Sequence, residues 1–154
     1  MNVGLLEGEK MKVKEFLRGI RSEQTEIELL LLKVDNITLI HALVYDNDKI
    51  QGNYTSDLSE TVIKNAALLN AIDKKVRALQ KKQVKAFKMI NSLENDSQRQ
   101  ILLMYYLSRK KQAHTELTRP YTLEEVAEEL HFSSDHVKHI HGAALNALRK
   151  KALA

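Results

Sequence analysis

Two long apolar series, separated by a polar stretch, dominate the first ninety residues. From about Glu9 to Leu43 the apolar positions Val13, Phe16, Ile20, Ile27, Leu30, Val34 and Ile37, followed by His41 and Val44, recur at steps of three and four. Glu23 is the polar interruption before His41. A second series runs from about Glu60 to Leu93 through Val62, Leu69, Ile72, Val76, Leu79, Ala86, Ile90 and Leu93, broken by Asn65 and Gln83. Such spacing predicts two helices, each with one apolar stripe. Each would hold roughly 30–35 residues and extend about 50 Å. Residues 1–8 are expected to fray. Tyr45–Ser59, rich in Asp, Asn, Gly and Ser, is expected to form the connecting loop, with Ser56, Asp57 or Ser59 capping the second helix. A stripe of this kind must be buried against something. The simplest arrangement is an antiparallel hairpin in which the two stripes cover each other. Leu29, Leu31 and Leu32 widen the first stripe and favour a further packing partner, as in a dimer or a larger bundle.

The period changes after Glu94-Asn95-Asp96, which should end the second helix and cap a shorter one at about 97–108. A polar connection, SRKKQAHTELTRP, then leads to YTLEEVAEELHFSSDHVKHIHGAALNALRKK. Thr122, with Glu125 three residues later, forms a capping box ahead of Val126, Ala127 and Leu130. The helix breaks at His131-Phe132-Ser133. Ser133 is a second N-cap, followed by Val137, Ile140, Ala144, Leu145 and Leu148 on one side. Val126, Ala127, Val137, Ile140 and Leu145 are expected in the core. A short helix, a tight turn and a longer helix with a polar leading end is the helix-turn-helix pattern, whose second helix enters the DNA major groove. The expected fold is therefore all-α: a long antiparallel helical hairpin over 9–93, then a helix-turn-helix module over 97–151.

Composition agrees. The 154-residue chain has 44% hydrophobic residues, one proline, five glycines and no tryptophan, which favours helices over sheet. It has no cysteine, hence no disulfide framework. The run Ile101–Leu107 is too short to span a membrane, and the N-terminus lacks a signal-peptide pattern, so a cytoplasmic location is expected. The net charge of +4 is modest, but its distribution is uneven. Residues 61–93 hold Lys64, Lys74, Lys75, Arg77, Lys81, Lys82, Lys85 and Lys88 against Asp73 alone. These cations could be a solvated face, a track for DNA phosphates, or partners for the acidic Glu23, Glu26 and Glu28.

The C-terminal stretch resembles region 4 of bacterial primary sigma factors. Thr122, Glu124, Glu125, Val126, Ala127, Leu130, Ser133, Val137, Ile140, Ala144, Leu145, Leu148 and Arg149 fall on that pattern, and RQILLMYYL over 99–107 is similar to the helix preceding it. The run HIHGAAL over 139–145 is similar to phage sigma-like regulators of the ArpU/RinA type, which carry a helical segment ahead of this module. The chain departs from the sigma pattern in its longer connection after Leu107 and in His131, which stands where glycine is usual. If that position needs positive φ, His adopts it less readily than Gly.

The resemblance implies that base edges are read from the leading turns of the second helix, here Ser133, Ser134, Asp135, His136, Lys138 and His139. Lys138 can donate to guanine or to a phosphate, Asp135 can accept from cytosine, and His139 can do either. Ser134 and Asp135 are shorter than the side chains usual at those positions. Ser133 also suits a purely capping role. Arg149 and Lys150, with Lys151, would meet phosphates and suit the helix dipole. Glu124, Glu125, Glu128 and Glu129 form an acidic helix face, which in sigma-like modules is a surface for other proteins. His136, His139 and His141 invite a metal reading, but cysteine is absent and only Asp135 stands near. No metal and no cofactor is expected, and a change of histidine charge near pH 6 is the more natural consequence. No phosphate-binding glycine loop, G-x-S-x-G or H-E-x-x-H is present, so no enzymatic activity is expected.

The expected function is sequence-specific binding of double-stranded DNA by a sigma-like transcription regulator of phage or prophage origin. Host RNA polymerase is a further partner implied by the resemblance, and the hairpin suggests a homo-oligomer. Two rivals remain: a small terminase subunit for phage DNA packaging, and a helical adaptor that binds protein rather than DNA.

Overall fold

The computed structural model describes the backbone of residues 3–47 and 55–153 and the side chains of residues 12–34 and 63–152. Helix α1 runs Val3–Asn47 and α2 runs Thr55–Asn91. Both exceed the lengths expected from the apolar stripes. The segment expected to fray is helical from Val3, and Thr55–Ser59 lies inside α2 rather than in the loop. Ser56, Asp57 and Ser59 therefore fall within its opening turns. The side chains of Ile37, His41, Val44 and Val62 lie outside the described residues.

The two helices pack antiparallel. Lys82 pairs with Glu23 at 2.5 Å, Lys75 with Glu26 at 2.9 Å, and Gln83 donates to Gln24 at 3.3 Å. As α2 advances, α1 recedes. Glu23 and Gln83 interrupt the apolar series because they bond across the seam, to Lys82 and Gln24 respectively. Val13, Ile20, Ile27 and Val34 of α1 are buried, as are Ile72, Leu79, Ala86, Ile90 and Leu93 of α2. Leu69 departs from expectation. It is 46% exposed, and Leu68 packs on the core in its place. Leu17 departs the other way. It was outside the apolar series, yet it is fully buried because α1 is covered on a second side by the C-terminal elements.

Helix α3 (Asp96–Leu102) is capped by Asn95, whose side chain accepts from the Gln98 N–H at 3.0 Å. It continues into a π-helical turn, Leu103–Leu107, where one continuous helix was expected. The polar connection is not featureless. Strands β1 (Arg109–Lys111) and β2 (Thr118–Pro120) pair antiparallel, with Lys110 opposite Arg119. Helices α4 (Leu123–Leu130) and α5 (Ser134–Leu153) follow.

One continuous core joins the hairpin base to the C-terminal elements. It holds Leu17, Ile20, Ile90 and Leu93 together with Leu102, Tyr106, Ala144 and Leu148. A second cluster, Ile101, Val126, Ala127 and Val137, closes α4 onto α5, with Ile140 packed against it. Polar contacts reinforce the junction. Arg109 donates to Thr25 Oγ1 at 3.0 Å and faces Glu28 at 3.5 Å, and Glu28 accepts from the Thr118 backbone N–H at 3.2 Å. Arg21 donates to the Tyr121 carbonyl at 2.8 Å and stacks 3.9 Å from the centre of the Tyr105 ring.

Candidate nucleic-acid interface

The geometry of α4 and α5 follows from local chemistry. The Thr122 hydroxyl accepts from the Glu125 N–H at 3.2 Å, and Glu125 reaches back to the Thr122 N–H, completing the capping box. This fixes where α4 starts. Its end is set by His131, which adopts φ 58° and ψ 39°, the left-handed region. That backbone lets Phe132 N–H donate to the Ala127 carbonyl at 2.9 Å and turns the chain sharply. A side chain there costs about 1–2 kcal/mol that glycine would not. Ser133 then caps α5, its hydroxyl accepting from His136 N–H at 3.2 Å.

The acidic face of α4 is smaller than the sequence suggested. Glu125 is half-buried and bound to Arg119 at 2.6 Å and Lys110 at 2.8 Å. These two cations hold its carboxyl well below the usual carboxylate range. They come from β1 and β2, so Glu125 staples the β-hairpin to the start of α4. Glu124, Glu128 and Glu129 remain exposed.

Helix α5 divides cleanly. Val137, Ala144, Leu145 and Leu148 face inward. Asp135, Lys138, His139 and Gly142 are exposed, and Asn146 and Arg149 are half-buried. At 100° per residue the four exposed positions share an outward arc of about 100°, while Asn146 and Arg149, further along the same side, have their Oδ1 and Nε atoms enclosed. Gly142 leaves the middle of that arc bare, with no atom within 4 Å of where a Cβ would stand. Ser134, half-buried, and His136, exposed, flank the arc, and the His136 ring meets Phe132 edge-on at 5.2 Å. Lys138 forms a 3.1 Å ion pair with Glu124 of α4, and the Glu124 carboxyl is held below its ordinary range first by a hydrogen bond from its own backbone N–H and then by Lys138. Lys150 is exposed at the trailing end, while Lys151 turns back and donates to the Ser92 carbonyl.

The three histidines of α5 do not converge. His141 lies on the inner side, joined to the Tyr106 hydroxyl by a 2.9 Å hydrogen bond and packed edge-on against Tyr105 at 5.1 Å. Burial, assisted by Lys14 and Arg21, lowers its pKa to about 4. His141 therefore stays neutral near pH 6, contrary to expectation. Burial also pushes the Tyr106 hydroxyl up. Among the described residues no group of three or more potential ligands could hold a metal ion, and no helix is long and apolar enough to cross a membrane. The linking set of Arg21, Tyr105, Tyr106 and His141 escaped sequence reading because its members lie on three separate elements. The only local hint was the paired tyrosines.

Short α4, a left-handed turn and longer α5 together make a helix-turn-helix. Residues 95–150, about a third of the chain, match the family Sigma-70, region 4. This segment is thus similar to a DNA-binding domain of sigma-type transcription regulators. No curated protein and no solved structure matches the chain.

Proposed function

We propose that this chain is a sequence-specific DNA-binding transcription regulator of the sigma-like phage type, with no catalytic activity of its own. Helix α5 enters the major groove. Asp135, Lys138 and His139 face base edges. Ser134 and His136 sit at the rim of the contact, Ser133 holds the helix start, and Arg149 and Lys150 approach phosphates. The observation that carries this reading is the exposed polar arc of α5, mounted on a helix-turn-helix within the segment matching region 4. Lys138 would exchange its Glu124 carboxylate for a base or phosphate, so Glu124 tunes its availability. The exposed Glu128 and Glu129 of α4 are the surface for host RNA polymerase. In this reading 97–151 reads DNA in the cytoplasm, and the hairpin over 9–93 serves assembly. Leu29, Leu31, Leu32, Ile63 and Leu69 are between 38% and 65% exposed, which supports a homo-oligomer built through the hairpin.

The test is selection of bound duplexes from a random pool, followed by Lys138→Ala on the selected site. The expected loss is about 1–3 kcal/mol if Lys138 reads a base. A loss equal on all sequences would reassign it to a phosphate. The same exposed leucines also suit a packaging subunit, and a closed ring of many subunits in sedimentation would favour that role over regulation. Failure to bind any duplex at low salt would favour the adaptor.

A further inference from the structure

The eight cations of 61–93 are not equivalent once the hairpin has formed. Lys75 and Lys82 turn towards α1 and pair with Glu26 and Glu23. Arg77 pairs with Asp73 at 3.1 Å on its own helix. Lys74, Lys81 and Lys88 are exposed and have no ion pair among the described residues. Lys85 is also exposed, and its Nζ lies 5.4 Å from the Phe16 ring centre. Steps of seven, four and three place Lys74, Lys81, Lys85 and Lys88 on one arc of about 60°, as a ridge about 21 Å long. The ridge does not end at Lys85. A groove of about 500 Å³, floored by Val13, Phe16 and Leu148, brings Lys85 together with Lys12 of α1 and Lys151 of α5. A single-sign surface therefore joins α2 to the trailing end of the helix whose leading end is the proposed reader.

A row of like charges at helical spacing repels itself and lowers helix stability. Glu23 and Glu26 are already engaged by the inner lysines. What suits such a ridge is an extended polyanion with regularly spaced charges, which gains affinity through counterion release. We propose that Lys74, Lys81, Lys85 and Lys88 form a second, sequence-independent contact with the phosphate backbone of duplex DNA, separate from the reading face of α5. This rests on the DNA-binding reading above.

The structure supplies an internal control, because ridge and paired lysines are neighbours in sequence. Lys74→Gln/Lys81→Gln and Lys75→Gln/Lys82→Gln remove the same charge from the same turns, and Gln keeps most of the helix propensity. Both are made in the full chain, checked by circular dichroism and titrated with salt against a random duplex and against a selected site. The ridge pair should weaken random-duplex binding and lower the slope of log K against log salt by ~1.8, about 0.9 for each lost phosphate contact. The paired set should leave the slope near that of the unaltered chain. Equal losses from the two pairs would mean that only net charge matters and would overturn the proposal. No change from the ridge pair would overturn it as well. A ridge effect confined to single-stranded RNA of the same length would reassign the surface and also overturn it. Binding of a selected site that is lost on changing α5, with no ridge effect, would remove the ridge while keeping the reader. No duplex binding by the unaltered chain at low salt would remove both.

Discussion

The two ends of the same helical hairpin use one apolar seam in different surroundings. At the base, Leu17, Ile20, Ala86 and Ile90 are fully buried, because Tyr106, Ala144 and Leu148 cover what the hairpin alone would leave open. Further out, Ile27, Val34 and Ile72 are buried by the opposite helix, but Leu29, Leu31, Leu32, Ile63 and Leu69 stay exposed. A heptad series specifies which side of each helix meets the other. It does not specify what meets the next side, and at the base the C-terminal elements cover one such side while Val84 and Phe87 of α2 stay 55% and 50% exposed. The hairpin is therefore both a platform that fixes the helix-turn-helix and an arm with apolar surface to spare.

The largest expected effect separates the two ends. Leu17→Ala should cost about 2–5 kcal/mol in urea unfolding, the range for deleting a buried leucine side chain. Leu69→Ala should stay within about 0.5 kcal/mol per chain. Equal costs would erase the distinction. The next effect probes the link between base and reader. Tyr106→Phe removes the hydroxyl that meets His141 and leaves its ring nitrogen unpaired, with an expected loss of roughly 1–3 kcal/mol.

The same link predicts a pH dependence. His141 has a folded-state pKa of about 4, depressed from 6.5 by burial. The unfolded chain then binds a proton through this ring between about pH 6.5 and 4 while the folded chain does not, so stability falls as pH is lowered through that window. His141→Phe should remove up to one proton from the slope of stability against pH there. An unchanged slope would contradict the buried, neutral imidazole. A smaller effect belongs to the turn. His131→Gly should raise stability, by about 1 kcal/mol, by relieving the left-handed side chain. Leu69→Asp should hardly alter the single chain but should shift sedimentation towards smaller species if the outer hairpin assembles copies. An unaltered profile would locate assembly elsewhere or exclude it.

What was legible in the sequence followed contact range. The capping box at Thr122 and Glu125, the Asn95 and Ser133 caps, the turn at His131 and the cores of α4 and α5 all depend on residues within a few positions of each other. The stripe over Val13–Val34 was legible from periodicity alone. The β-hairpin over 109–120 was not, since three-residue strands of Arg, Lys and Thr show no alternation. They are held by Glu28, Thr25 and Glu125, two of which lie some eighty to ninety residues away. Leu69 was misplaced and Leu17 was passed over for a related reason. Both sit one step off the seam, and only the position of the C-terminal elements decides that one is covered and the other is not. On α5, composition named the polar residues, but the structure was needed to turn His141 inward and to set Lys138 against Glu124.

The central claim is that the outward arc of α5 reads duplex DNA. Binding of the full chain to a selected duplex and to a scrambled one, before and after the joint change Asp135→Ala, Lys138→Ala and His139→Ala, tests it most directly. These side chains are exposed, so folding should persist, as circular dichroism would verify. The account predicts that preference for the selected site collapses towards the scrambled level while residual, salt-sensitive binding remains. Retention of full preference by the folded triple variant would contradict it.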